Sequence, residues 1–352
     1  SDLWVRVREG MAIADIDDER VRKWEAFYAQ RPAYVARMMD RGGRYLFHIV
    51  EEVEARGLPM ELALLPFIES AFNPQAYSSA SAAGMWQFVP ATGRAFDLRQ
   101  NLLRDDRRDV IASTRAALDY LKSLHGRFGD WHLALAAYNW GQGSVSRAMK
   151  RNEQAGRPTG YAHLRMPEET RQYVPKLQAM KNIVLRPQAF GLALPALENH
   201  PVFLSVPIER DIDVALAARL AGLDEDGFRA FNPQHNKPVI LAAGTPEVLL
   251  PFDAARRFER ALREHPGPLA TWTVWVTPRT MTPAQAAQAV GTTEAALREV
   301  NRIPPRMQLR AGSALVVPRR ATQDTDVAVH LADNAAMQLV PVAPPLRRTL
   351  VR

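Results

Sequence analysis

One glutamate has the surroundings that acid–base chemistry requires. Glu69 lies near the end of residues 58–72 (LPMELALLPFIESAF), which are apolar on nearly every side and predict a buried helix with a kink at Pro66. No Lys or Arg lies between residues 58 and 87, so no cation close in sequence can pair with the carboxylate. Burial would raise the pKa of Glu69 and favour the neutral acid, which can protonate a leaving group. Two alternatives stay open, a carboxylate that points to solvent and one that caps backbone amides.

The residue types near Glu69, and those that end a second apolar segment, suit a carbohydrate site. They supply hydroxyl and carboxamide groups for sugar hydroxyls and apolar faces for pyranose rings. These residues are Ser78, Met85, Trp86, Gln87, Tyr138 and Asn139. For Trp86, a core position and a ligand platform stay equally open. Gly141 and Gly143 follow the second segment and would let backbone approach a ligand closely.

Composition excludes several other chemistries. The 352 residues contain no cysteine, which excludes disulfides, thiolate metal sites and cysteine nucleophiles. Neither a Gly-rich phosphate loop nor a His-Glu-x-x-His motif is present, and the eight histidines are scattered, so we expect no cofactor and no metal. The net charge of +7 favours an anionic neighbour, but the chain has no nucleic-acid-binding motif. No apolar run is long enough to span a membrane.

Hydrophobic periodicity predicts a helical first half. Segments from residue 15 to residue 185 repeat apolar residues at helical spacing, and no convincing alternating strand interrupts them. We expect residues 1–57 to form an N-terminal helical segment packed on a catalytic domain at 58–185. Residues 186–201 are rich in Pro and predict a linker.

Two similar segments follow this linker. ERDIDVALAARLAGLDEDGFRAFNP at 209–233 aligns without gaps with PRTMTPAQAAQAVGTTEAALREVNR at 278–302, so that Gly222 matches Gly291 and Asn232 matches Asn301. Short apolar runs flank both segments and predict a strand–helix–helix–strand module in each. Chance similarity between Ala-rich helices is the alternative. Residues 321–352, which include Pro341, Pro344 and Pro345, predict a tail.

Four blocks in the first half resemble the signature blocks of the soluble lytic transglycosylases, and in the same order. They are ESAFNP at 69–74, AAGMWQF at 82–88, AYNWGQG at 137–143 and ETRQYVPK at 169–176. Residues 58–98 most resemble the membrane-bound lytic murein transglycosylase D subgroup, and the two later segments resemble its LysM modules. The resemblance implies a mainly α, lysozyme-like catalytic domain, followed by two small α+β (βααβ) LysM-like modules at 202–252 (degenerate) and 272–318.

The resemblance also assigns roles to individual residues. It implies that Glu69 is the single catalytic acid/base, and that Ser78 contacts the sugar or the intermediate. Gln87, Tyr138 and Asn139 match cleft residues, and Tyr173 matches a tyrosine that hydrogen-bonds near the acid. The chain departs from the family at Met85 and Trp86, where Leu-Met is common.

The implied activity is a peptidoglycan lytic transglycosylase. It cleaves the MurNAc-β-1,4-GlcNAc bond without water and leaves 1,6-anhydroMurNAc ends. Two alternatives stay open, a muramidase that hydrolyses the same bond and a non-catalytic peptidoglycan-binding scaffold. No second Asp or Glu lies between Glu69 and Asp97, although a distant carboxylate could fold into the site.

Wall chemistry implies a location and partners. The expected partner is the glycan strand of peptidoglycan, in a Gram-negative periplasm. The family adds an outer-membrane tether through a lipid on a cysteine upstream of Ser1, in a segment removed from this sequence. Nucleic acid is not an expected partner.

Overall fold

The structure, a computed structural model, describes residues 2–343. These residues form two compact units, which are described separately. The first unit contains residues 2–98 and 106–202, and the second contains residues 99–105 and 203–343. No helix among the described residues has both the length and the apolarity that a membrane crossing requires.

The first unit is built of helices, as the periodicity predicts. Its described residues contain isolated β-bridges and no extended strand. The α-helices are α1 Leu3–Glu9, α2 Glu19–Ala29, α3 Pro32–Gly42, α4 Leu46–Ala55, α5 Leu65–Ser70, α6 Pro90–Ala95, α7 Val110–Phe128, α8 Trp131–Trp140, α9 Gln142–Gln154 and α10 Glu168–Leu185. Three short 3-10 helices lie at Met60–Leu64, Tyr161–His163 and Pro187–Phe190. Helix α1 lies in the predicted N-terminal helical segment at 1–57, although the helical periodicity itself begins only at residue 15.

Aspartates begin several of these helices. Asp18, Asp109 and Asp130 precede α2, α7 and α8, and the side chain of each accepts a hydrogen bond from a backbone N–H of the first turn. A carboxylate in this position satisfies a helical N–H that has no partner within the helix and complements the positive end of the helix dipole.

Residues 59–68 are buried as predicted and Glu69 is half-buried, but residues 58–72 do not form one kinked helix. The 3-10 helix Met60–Leu64 leads into α5, and Pro66 lies in the first turn of α5. The N–H that proline lacks would have no helical partner in a first turn, so Pro66 fits the start of a helix. The predicted kink is therefore wrong, and Pro66 instead helps to begin the short helix that carries Glu69.

The second unit contains two modules with the same order of elements. In the first module, strand β1 Phe203–Pro207 pairs antiparallel with β4 Glu247–Pro251, and in the second, β5 Trp272–Val276 pairs with β7 Ala314–Pro318. Two helices lie between the paired strands of each module. They are α11 Val214–Leu220 and α12 Glu225–Phe231 in the first, and α14 Pro283–Val290 and α15 Glu294–Asn301 in the second. Short strands β2 Ile212–Asp213 and β3 Val239–Ile240 pair with each other in the first module.

One asparagine in each module makes the same buried contacts. The Nδ2 of Asn232 donates to the carbonyl of Leu249, and its Oδ1 accepts from the N–H of Leu249. Asn301 makes the same pair of hydrogen bonds with Val316. Gly222 and Gly291 both have a left-handed backbone, with φ of 71° and 76°. The gapless alignment therefore matches structurally equivalent residues, which chance similarity would not produce.

The first module has an additional helix. Helix α13 Phe252–Glu264 follows β4 and places Ala254, Ala255 and Phe258 in the core of that module. The predicted first module ended at residue 252, so the prediction did not include this helix.

The prediction of a tail from residue 321 is wrong for part of that segment. Helix α16 Val329–Asn334 buries Ala332 in a core of the second unit, and strand β8 Leu339–Pro341 pairs with β6 Met307–Leu309. Pro344 and Pro345 lie outside the described residues. Residues 99–105 also belong to this unit, where the N–H of Leu102 donates to the carbonyl of Ala335 at 2.9 Å.

The predicted linker at 186–201 is packed against the start of the chain. The N–H of Leu3 donates to the carbonyl of Leu197, and the indole N–H of Trp4 donates to the carbonyl of Pro195. These contacts fix the end of the first unit on α1.

Candidate active site

The carboxyl of Glu69 comes from the last turn of α5 and lines a cavity of about 730 Å³. Directly after α5, Ala71 and Phe72 have positive φ values of 50° and 58°, which side-chain-bearing residues rarely adopt. The Arg41 guanidinium donates two hydrogen bonds to the carbonyl of Ala71, at 3.0 and 2.9 Å. The hydroxyl of Ser70 donates to the carbonyl of Met85 at 2.9 Å. The turn that ends α5 is therefore held from two sides.

Burial changes the acidity of Glu69. Loss of hydration raises its pKa from 4.5 to about 7, although the nearby Lys176 ammonium and Tyr173 hydroxyl oppose the rise. The carboxylate of Glu169 acts in the same direction as burial. At neutral pH a large fraction of Glu69 is therefore protonated, so the solvated carboxylate of the first alternative does not describe this side chain.

Two tyrosines lie beside the carboxyl. The Tyr138 hydroxyl donates to the carbonyl of Trp86 at 2.7 Å, and burial raises the pKa of this phenol well above 10. The Tyr173 hydroxyl is buried and has no partner in hydrogen-bonding geometry among the described residues. It is still close enough to Glu69 to lower the pKa of the carboxyl. Tyr173 is thus a neutral donor with its hydrogen free for a ligand or for the Glu69 carboxylate.

The structure brings further charged groups to the cavity from distant parts of the sequence. Lys176, Glu168 and Glu169, all on α10, line the cavity together with Glu69. The sequence excluded only cations close to Glu69 along the chain, and the fold brings Lys176 from a distant segment to the same cavity. Likewise, two more carboxylates share the cavity, so the absence of a second acid holds only for residues 70–96.

The loop between α5 and α6 is held in one conformation and brings Ser78 and Gln87 to the cavity. The Ser78 hydroxyl accepts from the N–H of Ala82 at 3.0 Å, and the Gln87 amide nitrogen donates to the carbonyl of Gly84 at 2.9 Å. A Cβ on Gly84 would lie 2.0 Å from the carbonyl oxygen of Arg107. Only glycine permits this close approach.

The prediction that Met85 and Trp86 contact a pyranose ring is wrong. Both side chains are 0% exposed, and neither lines the cavity. The Trp86 indole N–H donates to the hydroxyl of Thr114 at 3.1 Å, within the core. Their apolar surface is used for packing, and what they offer near the site is the carbonyl groups that Ser70 and Tyr138 contact.

Asn139 lies at the cavity with both ends of its amide engaged. Its nitrogen donates to a carboxylate oxygen of Glu169 at 3.3 Å, and its oxygen accepts from the hydroxyl of Thr170 at 2.8 Å.

The five predicted residues other than Glu69, Met85 and Trp86 all line the same cavity. They are Ser78, Gln87, Tyr138, Asn139 and Tyr173.

Sequence reasoning missed several cavity residues. Trp24, Tyr120, Gln172 and Lys176 line the cavity, and only the last two lie in a quoted block. Trp24 and Tyr120 come from α2 and α7, far from Glu69 in sequence, so spacing alone gave no signal for them. No group of three or more His, Cys, Asp or Glu side chains that could hold a metal ion occurs within residues 2–343.

Two family models match the chain. The model described as "Transglycosylase SLT domain" matches residues 48–158, which include Glu69 and most of the cavity lining. The model described as "Lytic transglycosylase MltD, LysM-like domain" matches residues 202–266, which cover the first module together with α13.

Curated relatives match over the first unit and beyond. The chain is 36% identical over 262 residues to membrane-bound lytic murein transglycosylase D of Escherichia coli K12, which covers 74% of this chain and 58% of that protein. It therefore spans less than two thirds of that relative's length. It is 41% identical over 170 residues to a putative tributyltin chloride resistance protein of Alteromonas sp., covering 48% of this chain and 80% of that protein. A solved structure of an inactive mutant of lytic transglycosylase Slt from Pseudomonas aeruginosa matches 43% of this chain and 25% of that chain, with 25% identity and a TM-score of 0.30.

Proposed function

Because the chain belongs to the lytic transglycosylases with an SLT domain and the LysM-like domain of MltD, we propose that it cleaves peptidoglycan glycan strands. The bond broken is the β-1,4 link from MurNAc to GlcNAc, and the product carries a 1,6-anhydroMurNAc end. The enzyme is thus a carbon–oxygen lyase that consumes no water. The observation that carries the proposal is a carboxyl group with a pKa near 7 in a cavity large enough for sugar rings.

Bond cleavage begins with Glu69 as a general acid. Its carboxyl proton passes to the glycosidic oxygen as the bond from that oxygen to C1 of MurNAc breaks, and the GlcNAc side leaves as an alcohol. The electron-poor C1 is captured by the carbonyl oxygen of the substrate's own N-acetyl group. A pKa near 7 keeps the proton on Glu69 until this step.

Product formation uses the same carboxyl group as a base. The Glu69 carboxylate removes the proton from the C6 hydroxyl of MurNAc, and that oxygen attacks C1. The acetamido oxygen is released, the 1,6-anhydro ring closes, and Glu69 regains its proton. One carboxyl is sufficient because the substrate supplies both nucleophiles: its acetamido oxygen, as in substrate-assisted glycosidases, and its C6 hydroxyl in place of water.

Five residues are proposed to bind and orient the sugar. Ser78 and Gln87 are held rigidly by their loop, Tyr138 and Asn139 are fixed by hydrogen bonds, and Tyr173 keeps an unused hydroxyl beside Glu69. Groups that are already fixed lose little entropy on binding, which favours a defined pose for the reacting bond.

A muramidase that hydrolyses the same bond is the second candidate, and one observation favours it. Glu168 and Glu169 line the cavity with Glu69, so a second carboxylate is available to activate water. Both side chains are exposed, whereas Glu69 has lost much of its hydration. A scaffold without activity is the weaker alternative, because it gives no role to a buried, protonated carboxyl.

The LysM-like modules are proposed to hold the enzyme on glycan strands that contain GlcNAc. Attachment through a second site raises the local concentration of substrate at the cavity even when each contact is weak. We propose domain boundaries at 58–185 for catalysis, with 1–57 packed on it, and modules at 202–266 and 272–318. The helices that Trp24 and Glu69 come from share the cavity, which supports the packing of 1–57 on the catalytic domain.

Location follows from the substrate. We propose a periplasmic enzyme at the outer membrane, since peptidoglycan lies in that compartment and the E. coli relative is named membrane-bound. The tether is proposed to be a lipid on a cysteine that precedes Ser1. The net charge of +7 suits an anionic wall polymer.

The direct test of the catalytic assignment is Glu69→Gln. The amide has nearly the same shape but cannot donate or accept the proton as a carboxyl does, so we expect turbidity loss of purified sacculi to fall by at least about a thousandfold. Glu153→Gln, an exposed substitution on α9, is the matched control and should keep full activity. A folded Glu69→Gln protein that still clears sacculi would contradict the proposal.

A further inference from the structure

The N-terminal helix α2 contributes directly to the cavity wall. Trp24 of α2 lines the cavity, and its indole N–H donates to the side-chain oxygen of Gln172 on α10 at 2.9 Å. The ammonium of Lys176, one turn further along α10, lies 4.5 Å from the centre of the Trp24 ring. A cation over an indole face is attracted by the negative charge of the ring, and more strongly when both are partly buried.

Lys176 is also tied to the segment that carries Glu69. Its Nζ donates to the carbonyl of Ile68 at 3.2 Å, the residue directly before Glu69. This hydrogen bond and the Trp24 ring hold the ammonium beside the C-terminal end of α5. Lys176 and Glu69 line the same cavity, and the charge of the ammonium acts on the carboxyl there.

We propose that Trp24 and Lys176 are positioning residues for Glu69, in which Trp24 holds the Lys176 ammonium beside the carboxyl so that it stabilises the anion formed between the two proton transfers. This inference rests on the proposed role of Glu69. It gives the N-terminal segment a part in the reaction, beyond packing.

The groups that face Glu69 act in opposite directions. Lys176 and Tyr173 on α10 lower the pKa of Glu69, and Glu169 on the same helix raises it. Tyr138 on α8 is buried beside the carboxyl and stays neutral. Burial lowers the pKa of Lys176 below its ordinary value, and the carboxylates of Glu69 and Glu169 oppose that fall. Lys176 is therefore the cation that offsets burial at Glu69.

The charge matters most after the first proton transfer. At that stage Glu69 is a carboxylate in a poorly hydrated cavity, and an unpaired buried anion is strongly disfavoured. Without the ammonium, the carboxyl would hold its proton more tightly and give it up less readily to the leaving group. With the ammonium present, the pKa of Glu69 stays close to the pH at which both proton transfers occur.

The test measures the pKa of Glu69 itself, so it does not depend on activity. The full chain is labelled with ¹³C at glutamate side-chain carboxyls and titrated by NMR, and the signal that Glu69→Gln removes is assigned to Glu69. In Lys176→Met we expect this pKa to rise by about one unit or more, as for loss of an opposite charge close to a carboxyl. Lys176→Arg should leave it near its parent value. Lys150→Met, an exposed lysine on α9, is the control and should not change it.

Trp24→Leu provides a second variant in case Lys176→Met fails to fold. It leaves the lysine in place but removes the ring that holds it, so a smaller rise in the same pKa is expected, with the alkaline limb of kcat/KM moving to higher pH by the same amount. If the pKa of Glu69 is unchanged in both variants, the inference is wrong and the two residues are purely structural. If Lys176→Met does not fold, an unchanged pKa in Trp24→Leu alone leads to the same conclusion. Digestion of sacculi by the parent enzyme tests the proposed function separately, because its failure leaves the measured coupling intact.

Discussion

At the scale of single residues, Glu69 links stability to pH. Its pKa in the folded protein is about 7, compared with an ordinary value of 4.5. Between these two values the folded protein binds a proton that the unfolded chain does not, so this group makes folding less favourable as pH rises. The effect is complete above the folded pKa. A group that destabilises the protein where it is needed is typical of an active site.

This linkage predicts a pH-dependent gain from Glu69→Gln. The amide stays neutral at every pH, so the variant should be more stable than the parent at pH 8 by up to about 3 kcal/mol, since a tenfold change in proton affinity corresponds to about 1.4 kcal/mol. Near pH 4 the two proteins should be similar, because the carboxyl is then protonated in both states. Urea unfolding at the two pH values measures the difference. An equal gain at both would show that charge on Glu69 is not the cause.

Sequence reasoning at this scale succeeded where local chemistry was sufficient. An acidic residue in an apolar helix pointed to Glu69, and loop or block residues such as Ser78 and Tyr173 lie at the same cavity. It failed at Trp86, because an aromatic side chain close to polar residues can either contact a sugar ring or pack in the hydrophobic core. It also missed Lys176 as the cation that shares the cavity with Glu69, since this proximity depends on the packing of α10 against α5.

At the scale of elements, the loop after α5 depends on one glycine. Gly84 has φ of 84°, and a Cβ there would overlap the Arg107 carbonyl. Gly84→Ala should therefore destabilise the first unit by at least about 3 kcal/mol and reduce sacculus lysis, because backbone has to move near Gln87. Thermal unfolding and a turbidity assay measure both effects.

Gly126→Ala is the matched control for that substitution. Gly126 lies within α7, where nothing is within 4 Å of an added Cβ and φ is ordinary. Alanine should raise stability by about 0.5–1 kcal/mol there, because glycine weakens a helix interior. If Gly84→Ala behaved like Gly126→Ala, the close approach to Arg107 would not be essential.

A buried ion pair fastens the N-terminal segment to the catalytic helices. Glu61 is 1% exposed, accepts hydrogen bonds from the N–H groups of Ala12 and Ile13, and pairs with Lys181 at 2.8 Å. Lys181 also pairs with the exposed Asp15 at 2.8 Å. The partners of Glu61 lie 48 or more residues away along the chain, so spacing in the sequence gives no signal for this cluster.

Glu61→Gln should destabilise the first unit by about 3 kcal/mol. The substitution removes the buried carboxylate that pairs with Lys181 and leaves its ammonium with the exposed Asp15 and the carbonyl of Ile13, and a buried charge that loses its buried partner is strongly unfavourable. Glu19→Gln, which removes an exposed ion pair with Arg22, is the control and should change stability by less than about 1 kcal/mol. Equal effects in a denaturation experiment would mean that the buried pair has no special part in holding residues 11–16.

Helices and strands were also predicted correctly where they depend on residues close in sequence, and missed where they depend on distant contacts. Periodicity identified the long helices, and repeated patterns identified both modules, since each depends on residues close in sequence. Pro66, by contrast, was assigned a kink, because a proline at the start of α5 and one within a helix look alike until the preceding 3-10 helix is known. Helix α16 and strand β8 were missed because α16 is short and β8 depends on pairing with β6.

At the scale of the whole molecule, the second unit is assembled from separated parts of the chain. Residues 99–105 and the segment with α16 and β8 both belong to it, and Leu103 and Ala332 share one of its cores. A fragment of residues 200–320 contains both modules but lacks these parts. Its failure to bind glycan would therefore say little about the modules in the full chain.

We expect that fragment to be less stable than the same unit in the full chain. Its midpoint in urea should be clearly lower, because it leaves the apolar core around Val316 partly uncovered and β6 without its partner. Tryptophan fluorescence of Trp272 and Trp275, with the other tryptophans replaced in the full chain, follows this unit in both proteins. Equal midpoints would show that residues 99–105 and those after 320 are dispensable.

The central claim is that one carboxyl both gives and takes back the proton while the sugar closes on its own C6 oxygen. Mass spectrometry of soluble products from digested sacculi tests it most directly. We predict MurNAc ends in the 1,6-anhydro form, lighter by one water and resistant to borohydride reduction, and none of these ends with Glu69→Gln. Reducing MurNAc ends as the initial product would contradict the account and establish hydrolysis, with Glu168 or Glu169 as the residue to examine for water activation.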